Sequence, residues 1–255
     1  MPTYDAILPA GGRIKPDFAS VVGTDVKALI KFEGESILEK TLKALRETGR
    51  IGRMAVIGCD EVRKASKSLA DDVLPEGASG PENILRGLKD LISKPNASEK
   101  VFLVTTDLPF LSREIVDRYL DQCSDGRDIN VPLVSRDQWE QRFPGTTATF
   151  AKLADGTWTT GCAFLIDVGA LENSMPQIEQ VFNNRKSVMG MAKLLGPKFL
   201  FKFATKTLTV PDIEVKIQQM LGCTGAAIRN APTELAYDID ALDDYEYAVK
   251  EFQAR

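Results

Sequence analysis

Three short runs, Tyr4–Pro9, Met54–Gly58 and Val101–Thr105, constrain the fold of this chain more than any other feature. Each is mainly apolar and too short for a helix, the pattern of a strand covered on both faces. Between them lie segments with helical spacing. Ser36-Ile37-Leu38-Glu39 is a capping box, Ile37, Leu38, Leu42 and Leu45 fall on one face, and Gly49 closes that helix. Ile84, Leu85, Leu88, Leu91 and Ile92 give Asn83–Ile92 the same spacing, and Ser112–Cys123 reads as a further helix. Buried strands alternating with amphipathic helices need crossover connections, so the class is α/β with a parallel sheet.

The second half is less regular. Ile129–Val134, Thr146–Leu153 and Cys162–Ile166 read as strands, with Asp155-Gly156 as a hairpin turn before Trp158. Met175–Leu195 reads as mostly helical. Phe199–Phe203 and Ala226–Arg229 read as strands flanking a helix over Asp212–Leu221, and Asp240–Phe252 as a last helix. There is no internal repeat and no low-complexity linker. We expect one domain over residues 1–255, with an accessory, mostly helical insertion at about 170–225.

The chain contains no histidine. This removes Ser-His-Asp and Cys-His nucleophile pairs, histidine-ligated zinc or iron, and histidine as general base. Chemistry is left to carboxylates, Lys, Arg, hydroxyls, thiols, backbone amides or a bound ion. A net charge of −4 argues against a nucleic-acid binder, because phosphate-backbone contacts need a basic surface. A local pocket for one small anion is still allowed. Cys59, Cys123, Cys162 and Cys223 form no CxxC pair, so a reducing, cytoplasmic setting is expected. Met1-Pro2-Thr3-Tyr4-Asp5 lacks the basic-then-apolar pattern of a signal peptide. No uncharged apolar run reaches the roughly 18–20 residues of a membrane span.

Leu8-Pro9-Ala10-Gly11-Gly12-Arg13 ends the first strand in two glycines. Without Cβ atoms the backbone can pass close to a ligand, and exposed N–H groups form an anion nest. Arg13 adds a planar, multi-donor cation suited to phosphate oxygens, and Lys27 follows just before Ala28-Leu29-Ile30. The same residues also suit a plain tight turn with two solvated cations. The loop is neither a P-loop nor a dinucleotide fingerprint, since neither spacing occurs in the chain. Thr105-Thr106-Asp107 places a carboxylate just past the carboxyl end of the third strand, the edge where open α/β sheets bind ligands. Asp107 suits a hard dication such as Mg²⁺, or capping of the loop into the next helix. In Tyr237-Asp238-Ile239-Asp240, two carboxylates share one side if the segment is a strand. They suit a cation, and Asp240 also suits the N-cap of the last helix, with Asp243 and Asp244 favoured by the helix dipole.

Together, LPAGGR (8–13) with Lys27-Ala28-Leu29, VTTDLPFLS (104–112) and DIDALDDYEYA (238–248) resemble the MobA-like NTP-transferase branch of the GT-A-type nucleotidyltransferase superfamily. Gly80-Pro81-Glu82-Asn83-Ile84 resembles the segment that helps hold base and ribose there. Thr160-Gly161-Cys162-Ala163-Phe164-Leu165-Ile166-Asp167 resembles the mid-chain strand that leads to the acceptor site. Order and spacing match over residues 4–167 and 225–252.

The resemblance implies a Rossmann-like, three-layer α/β/α fold with a mixed, mostly parallel sheet. It implies Mg²⁺-dependent transfer of an NMP from an NTP to a phosphorylated small-molecule acceptor, with release of pyrophosphate and with CTP or GTP favoured. Leu8, Ala10, Gly11, Gly12, Arg13, Lys27, Gly80, Asn83 and Thr106 would bind the nucleotide. Arg13 would sit on the outer phosphates, Lys27 near the α-phosphate, and Asp107 with Asp238 or Asp240 on Mg²⁺; Arg13, Lys27 and Asp107 are the catalytic set. Ile14-Lys15-Pro16-Asp17-Phe18 departs from the family, which usually carries another small or basic residue soon after GGR. Segment 170–225 has no counterpart there and is expected to cover the acceptor site or build a homodimer contact. Two other readings share a related sheet: a GT-A glycosyltransferase, which needs no glycine loop gripping a triphosphate, and a non-catalytic nucleotide-binding module.

Overall fold

The computed structural model describes residues 4–184 and 187–254. Its strands are β1 (Tyr4–Pro9), β2 (Lys31–Phe32), β3 (Glu35–Ser36), β4 (Ile51–Gly58), β5 (Asp72–Pro75), β6 (Lys100–Val104), β7 (Ile129–Ser135), β8 (Ala151–Leu153), β9 (Gly156–Thr160), β10 (Ala163–Asp167) and β11 (Gly225–Arg229). Its helices are α1 (Pro16–Val22), α2 (Ile37–Glu47), α3 (Asp60–Ser66), α4 (Gly80–Ile92), α5 (Arg113–Gln122), α6 (Arg136–Arg142), α7 (Val168–Asn184), α8 (Val188–Leu195), α9 (Pro197–Ala204), α10 (Val210–Leu221) and α11 (Leu242–Gln253).

One sheet runs β5-β4-β1-β6-β10-β7-β9-β8, with β11 beside β7, and β2 and β3 pair apart from it. β5, β4, β1 and β6 are mutually parallel, as are β7 and β11, while β10 and β9 run against their neighbours. The sheet is therefore mixed and mostly parallel. Alternation along β1 explains the layers. Tyr4, Ala6 and Leu8 pack with Leu38, Leu42 and Leu45 of α2 and Tyr119 of α5. Ile7, with Ile57 of β4, packs oppositely against Leu88 and Leu91 of α4 and Leu171 and Met175 of α7. Each leucine, isoleucine or methionine among them contributes about 1.5–3 kcal/mol on burial, and both faces must be covered for this to be gained. The Ser36 capping box is formed: its hydroxyl accepts from Glu39 N–H at 3.2 Å, and Glu39 accepts from Ser36 N–H at 2.8 Å.

Register builds the ligand edge. Pro9 pairs with Ile57, Ile7 with Leu103 and Gly58 with Pro75. The loops carrying Gly11, Glu76 and Asp107 therefore leave the sheet side by side.

Three sequence expectations change. Phe199–Phe203 is helix α9, not a strand. Gly196, at φ 80°, followed by Pro197 starts a helix, and the alternating phenylalanines have no sheet partner among the described residues. The strand expected over Thr146–Leu153 is confined to Ala151–Leu153. Thr146 holds the preceding loop off the ladder: its hydroxyl donates to Phe143 O at 2.8 Å and accepts from Trp139 Nε1 at 3.0 Å. Helices α1, α3 and α6 were not signalled, because seven residues are too few to display a periodic face. α7 begins at Val168, before the expected Met175; residues 185 and 186 of that expected stretch, and Met1–Thr3, lie outside the described residues. Among the described residues no helix is long and apolar enough to cross a membrane.

Candidate active site

A cleft of about 640 Å³ opens at the carboxyl edge of the sheet. It is lined by Gly11 and Gly12, by Lys27, by the 76–81 turn into α4, and by Thr105–Asp107 after β6. That volume lies in the range of about 300–1,000 Å³ usual for small-molecule sites.

Neither Gly11 nor Gly12 has a positive φ, so no turn geometry demands glycine here. Close approach does. A Cβ on Gly11 would lie 3.0 Å from Asn83 Nδ2 and 3.1 Å from Glu76 Oε2, and one on Gly12 would lie 3.3 Å from Lys27 Cδ. Gly12 O accepts from Lys27 N–H at 3.0 Å and Arg13 bridges to Val26, so the loop itself positions Lys27. Asn83 is 5% exposed, and its amide oxygen accepts from Gly77 N–H at 2.6 Å, which turns its nitrogen toward Gly11. Gly80 lies in the first turn of α4, where the Ser79 hydroxyl accepts from Glu82 N–H at 3.2 Å. The buried Thr106 hydroxyl donates to Pro9 O at 3.3 Å, tying two strand ends together.

Lys27 Nζ is 3.5 Å from Asp107 Oδ2 and also pairs with Asp240 Oδ1. The acidic segment is held by its alternate residues. Tyr237 and Ile239 are 2% and 0% exposed, the Tyr237 ring lies 4.5 Å from Phe143 and 5.1 Å from Phe110, and Ile239 N–H donates to Asp107 O at 3.0 Å. Asp238 and Asp240 are left on the side of Lys27. They share that side as expected, although the segment is extended loop rather than a strand. Burial pulls the Lys27 ammonium down, but Asp107, Asp240 and Asp238 outweigh it and hold its pKa above the usual lysine range. Burial, then Asp107 and Asp240, push Asp238 up to about 6 against the opposing charge of Lys27. Burial and the same three carboxylates raise the Cys162 thiol.

Several expected site residues sit elsewhere. Asp240 is not the N-cap of the last helix; Ala241 is, and Asp244 one turn in accepts from Asp240 N–H at 3.0 Å and Ala241 N–H at 2.8 Å. Leu8 is fully buried in the α2 layer, and Ala10 spends its N–H on Ile57 O at 2.8 Å, so neither lines the cleft. Arg13 does not line it either. Its guanidinium bonds Gly11 O at 2.9 Å and Glu76 at 2.7 Å, with Asp25 at 3.8 Å. The cleft also takes in residues that the sequence does not single out, Glu76 with the turn after it, Ile178 and Phe182. The spacing of Leu171, Met175, Ile178 and Phe182 on one helical face was the available signal.

Among the described residues no cluster of three or more His, Cys, Asp or Glu is arranged to hold a metal alone. Mg²⁺ commonly takes only one or two carboxylates plus substrate phosphates, and the residues here fit that sparse pattern. Asp107 Oδ1 is buried with no hydrogen-bond donor among the described residues, and Asp238 is a carboxyl crowded by like charge. Both would be relieved by a cation.

Among solved structures, a hypothetical transferase from Thermus thermophilus superposes with a TM-score of 0.83 at 27% identity, covering 95% of this chain and 99% of its own. The 2-C-methyl-D-erythritol 4-phosphate cytidylyltransferase of Thermus thermophilus matches with a TM-score of 0.57 at 18% identity, over 99% of this chain and 100% of that one. A CMP:2-keto-3-deoxy-manno-octonic acid synthetase complexed with CTP matches with a TM-score of 0.59 at 8% identity, over 100% and 99%. These last two likenesses are of fold. No curated protein matches the chain. The MobA-like NTP transferase domain matches residues 6–171, more than half of the chain and the part that carries the glycine loop, Lys27, Asn83 and Asp107. The chain belongs to the MobA-like NTP transferase family and is a nucleotidyltransferase.

Proposed function

We propose that this nucleotidyltransferase moves an NMP group from an NTP to a phosphorylated small-molecule acceptor and releases pyrophosphate. The observation that carries the reading is Lys27, held between Asp107 and Asp240 beside a cleft floored by Gly11 and Gly12. An acceptor phosphate is already an anion, so its attack on the α-phosphorus needs no strong general base. This accords with a chain that has no histidine. The protein's task is in-line positioning and cancellation of negative charge. Gly11 and Gly12 let phosphate oxygens approach the backbone, and Lys27 stays protonated because its carboxylate neighbours hold it so. Asp107 with Asp238 or Asp240 would hold Mg²⁺, which when bound supplies Lewis-acid charge and a template for phosphate oxygens. Arg13 reaches an outer phosphate by exchanging Glu76 for it, while Gly80, Asn83 and Thr106 face the nucleoside.

The family favours nucleotidyl transfer over the glycosyltransferase and non-catalytic readings. CTP is supported over GTP by the cytidylyltransferase and CTP-bound neighbours. Four free cysteines support a reducing, cytoplasmic setting. The exposed Met189, Phe201 and Phe203 of segment 170–225 support a homodimer contact there, which light scattering tests. The deciding experiment is a pyrophosphate-release screen of four NTPs against phosphorylated acceptors with Mg²⁺. We expect release with at least one pair and none from Asp107→Ala, whose circular dichroism stays native. Turnover retained in that variant removes Asp107 from the metal site.

A further inference from the structure

The cleft has one wall that the family match does not reach. That match ends at residue 171, yet Ile178 and Phe182 of α7 also line the cavity. Leu171 and Met175 of α7 are 1% and 4% exposed and pack with Leu88 and Leu91 of α4. Ile178 and Phe182 continue the same helical face by three and four residues. The first half of α7 is therefore seated on the core, and the next turns overhang the start of α4. Ser174 fixes this register: its hydroxyl donates to Ala170 O at 2.6 Å and to Leu221 O at 3.1 Å, tying α7 to the end of α10. Phe182 rests against Gly80, where an added Cβ would lie 3.4 Å from its ring. The cleft thus has a charged lining, Lys27, Asp107 and the Arg13-paired Glu76, and an apolar one, Pro81, Ile84, Ile178 and Phe182. Phosphates need the first, and a nucleobase is the part of an NTP that gains from the second.

We propose that Phe182, backed by Ile178, is the wall on which the nucleobase of the NTP packs, so that the accessory helix α7 sets nucleotide affinity. This rests on the nucleotidyl-transfer reading above. Base packing on an aromatic ring tolerates any base, so the effect extends to all four NTPs. The test compares the binding of each NTP and of inorganic tripolyphosphate to the parent, Phe182→Ala and Phe182→Trp, by calorimetry. Loss of the ring is expected to weaken every NTP about tenfold. Tripolyphosphate, which has no base, is expected to stay within about twofold. Phe182→Trp is expected to keep NTP affinity and to add fluorescence that each NTP quenches; it keeps the test open if the alanine variant melts early. Equal NTP binding by parent and Phe182→Ala overturns the wall alone. A parallel loss of NTP and tripolyphosphate also overturns it, because that pattern marks general damage to the cleft. A parent that binds neither ligand overturns the nucleotide reading itself, and the wall with it.

Discussion

Replacing Asp238 by Asn should make the ligand-free protein more stable. Burial and the neighbouring Asp107 and Asp240 hold this carboxyl at about 6, against 3.8 in an unstructured chain, with Lys27 only partly offsetting them. At about 1.36 kcal/mol per pH unit, that gap is a penalty of about 3 kcal/mol for the charged form. The folded protein keeps a proton that the unfolded chain has already released, so stability falls as pH rises between 3.8 and about 6. Above that window the full penalty is present. Asn keeps the shape and removes the charge. The gain should therefore be well under 1 kcal/mol near pH 4 and approach about 3 kcal/mol at pH 8. At about 2–4 °C per kcal/mol for a chain of this size, Tm at pH 8 should rise by about 6–12 °C. Thermal melts of both proteins at pH 4 and pH 8, with chelator and without nucleotide, measure this. An equal difference at the two pH values, or a lower Tm for the variant at pH 8, refutes the charge-crowding account. Pyrophosphate release by the same variant should fall, since a site that crowds carboxylates gives up stability to hold charge for its ligand.

Lys27→Ala should lower kcat by about a hundredfold while weakening NTP binding far less, because a cation at developing charge acts mainly in the transition state; an unchanged kcat in steady-state assays removes it from the catalytic set. Glu76→Gln frees Arg13 from its 2.7 Å partner and should tighten tripolyphosphate binding about two- to fivefold, the size of a partly exposed ion pair; calorimetry that finds weaker binding argues that Glu76, not phosphate, is the proper partner of Arg13. Gly161→Ala would bring a Cβ to 2.8 Å from Leu235 O and 2.9 Å from Pro132 Cγ, where rigid backbone and a proline ring cannot yield. It should cost about 1–3 kcal/mol in chemical denaturation, and an unchanged midpoint refutes the packing argument.

The fold was legible because its strongest signals are local. β1, β4 and β6 are written as apolar runs, and α2 and α4 as periodic faces, α2 with its capping box, since burial on both sides of a sheet leaves little choice of residue. The candidate site was legible where one short segment carries both geometry and chemistry, as in Gly11-Gly12 and in Thr106-Asp107. It was not legible where a role depends on what lies opposite. Arg13 has the chemistry of a phosphate ligand, but Glu76, 63 residues away, holds its guanidinium. Asp240 has the chemistry of an N-cap, but Lys27 lies across from it, the N-cap falls on Ala241, and Asp244 accepts the free N–H groups. Phe199–Phe203 shows strand-like alternation, yet a strand forms only where a neighbour supplies hydrogen bonds, and none does among the described residues.

By itself the sequence determined the α/β class, pointed to a candidate site at the ends of the parallel strands, and limited its chemistry to groups other than imidazole. These follow from residue type and spacing along the chain. Tertiary structure alone decided that Asp107, Asp238 and Asp240 crowd one lysine, that Glu76 restrains Arg13, and that α7 closes the cleft with Ile178 and Phe182. Those pairings join residues separated by up to 213 positions, and a charge or a ring has no assigned role until folding fixes its neighbour.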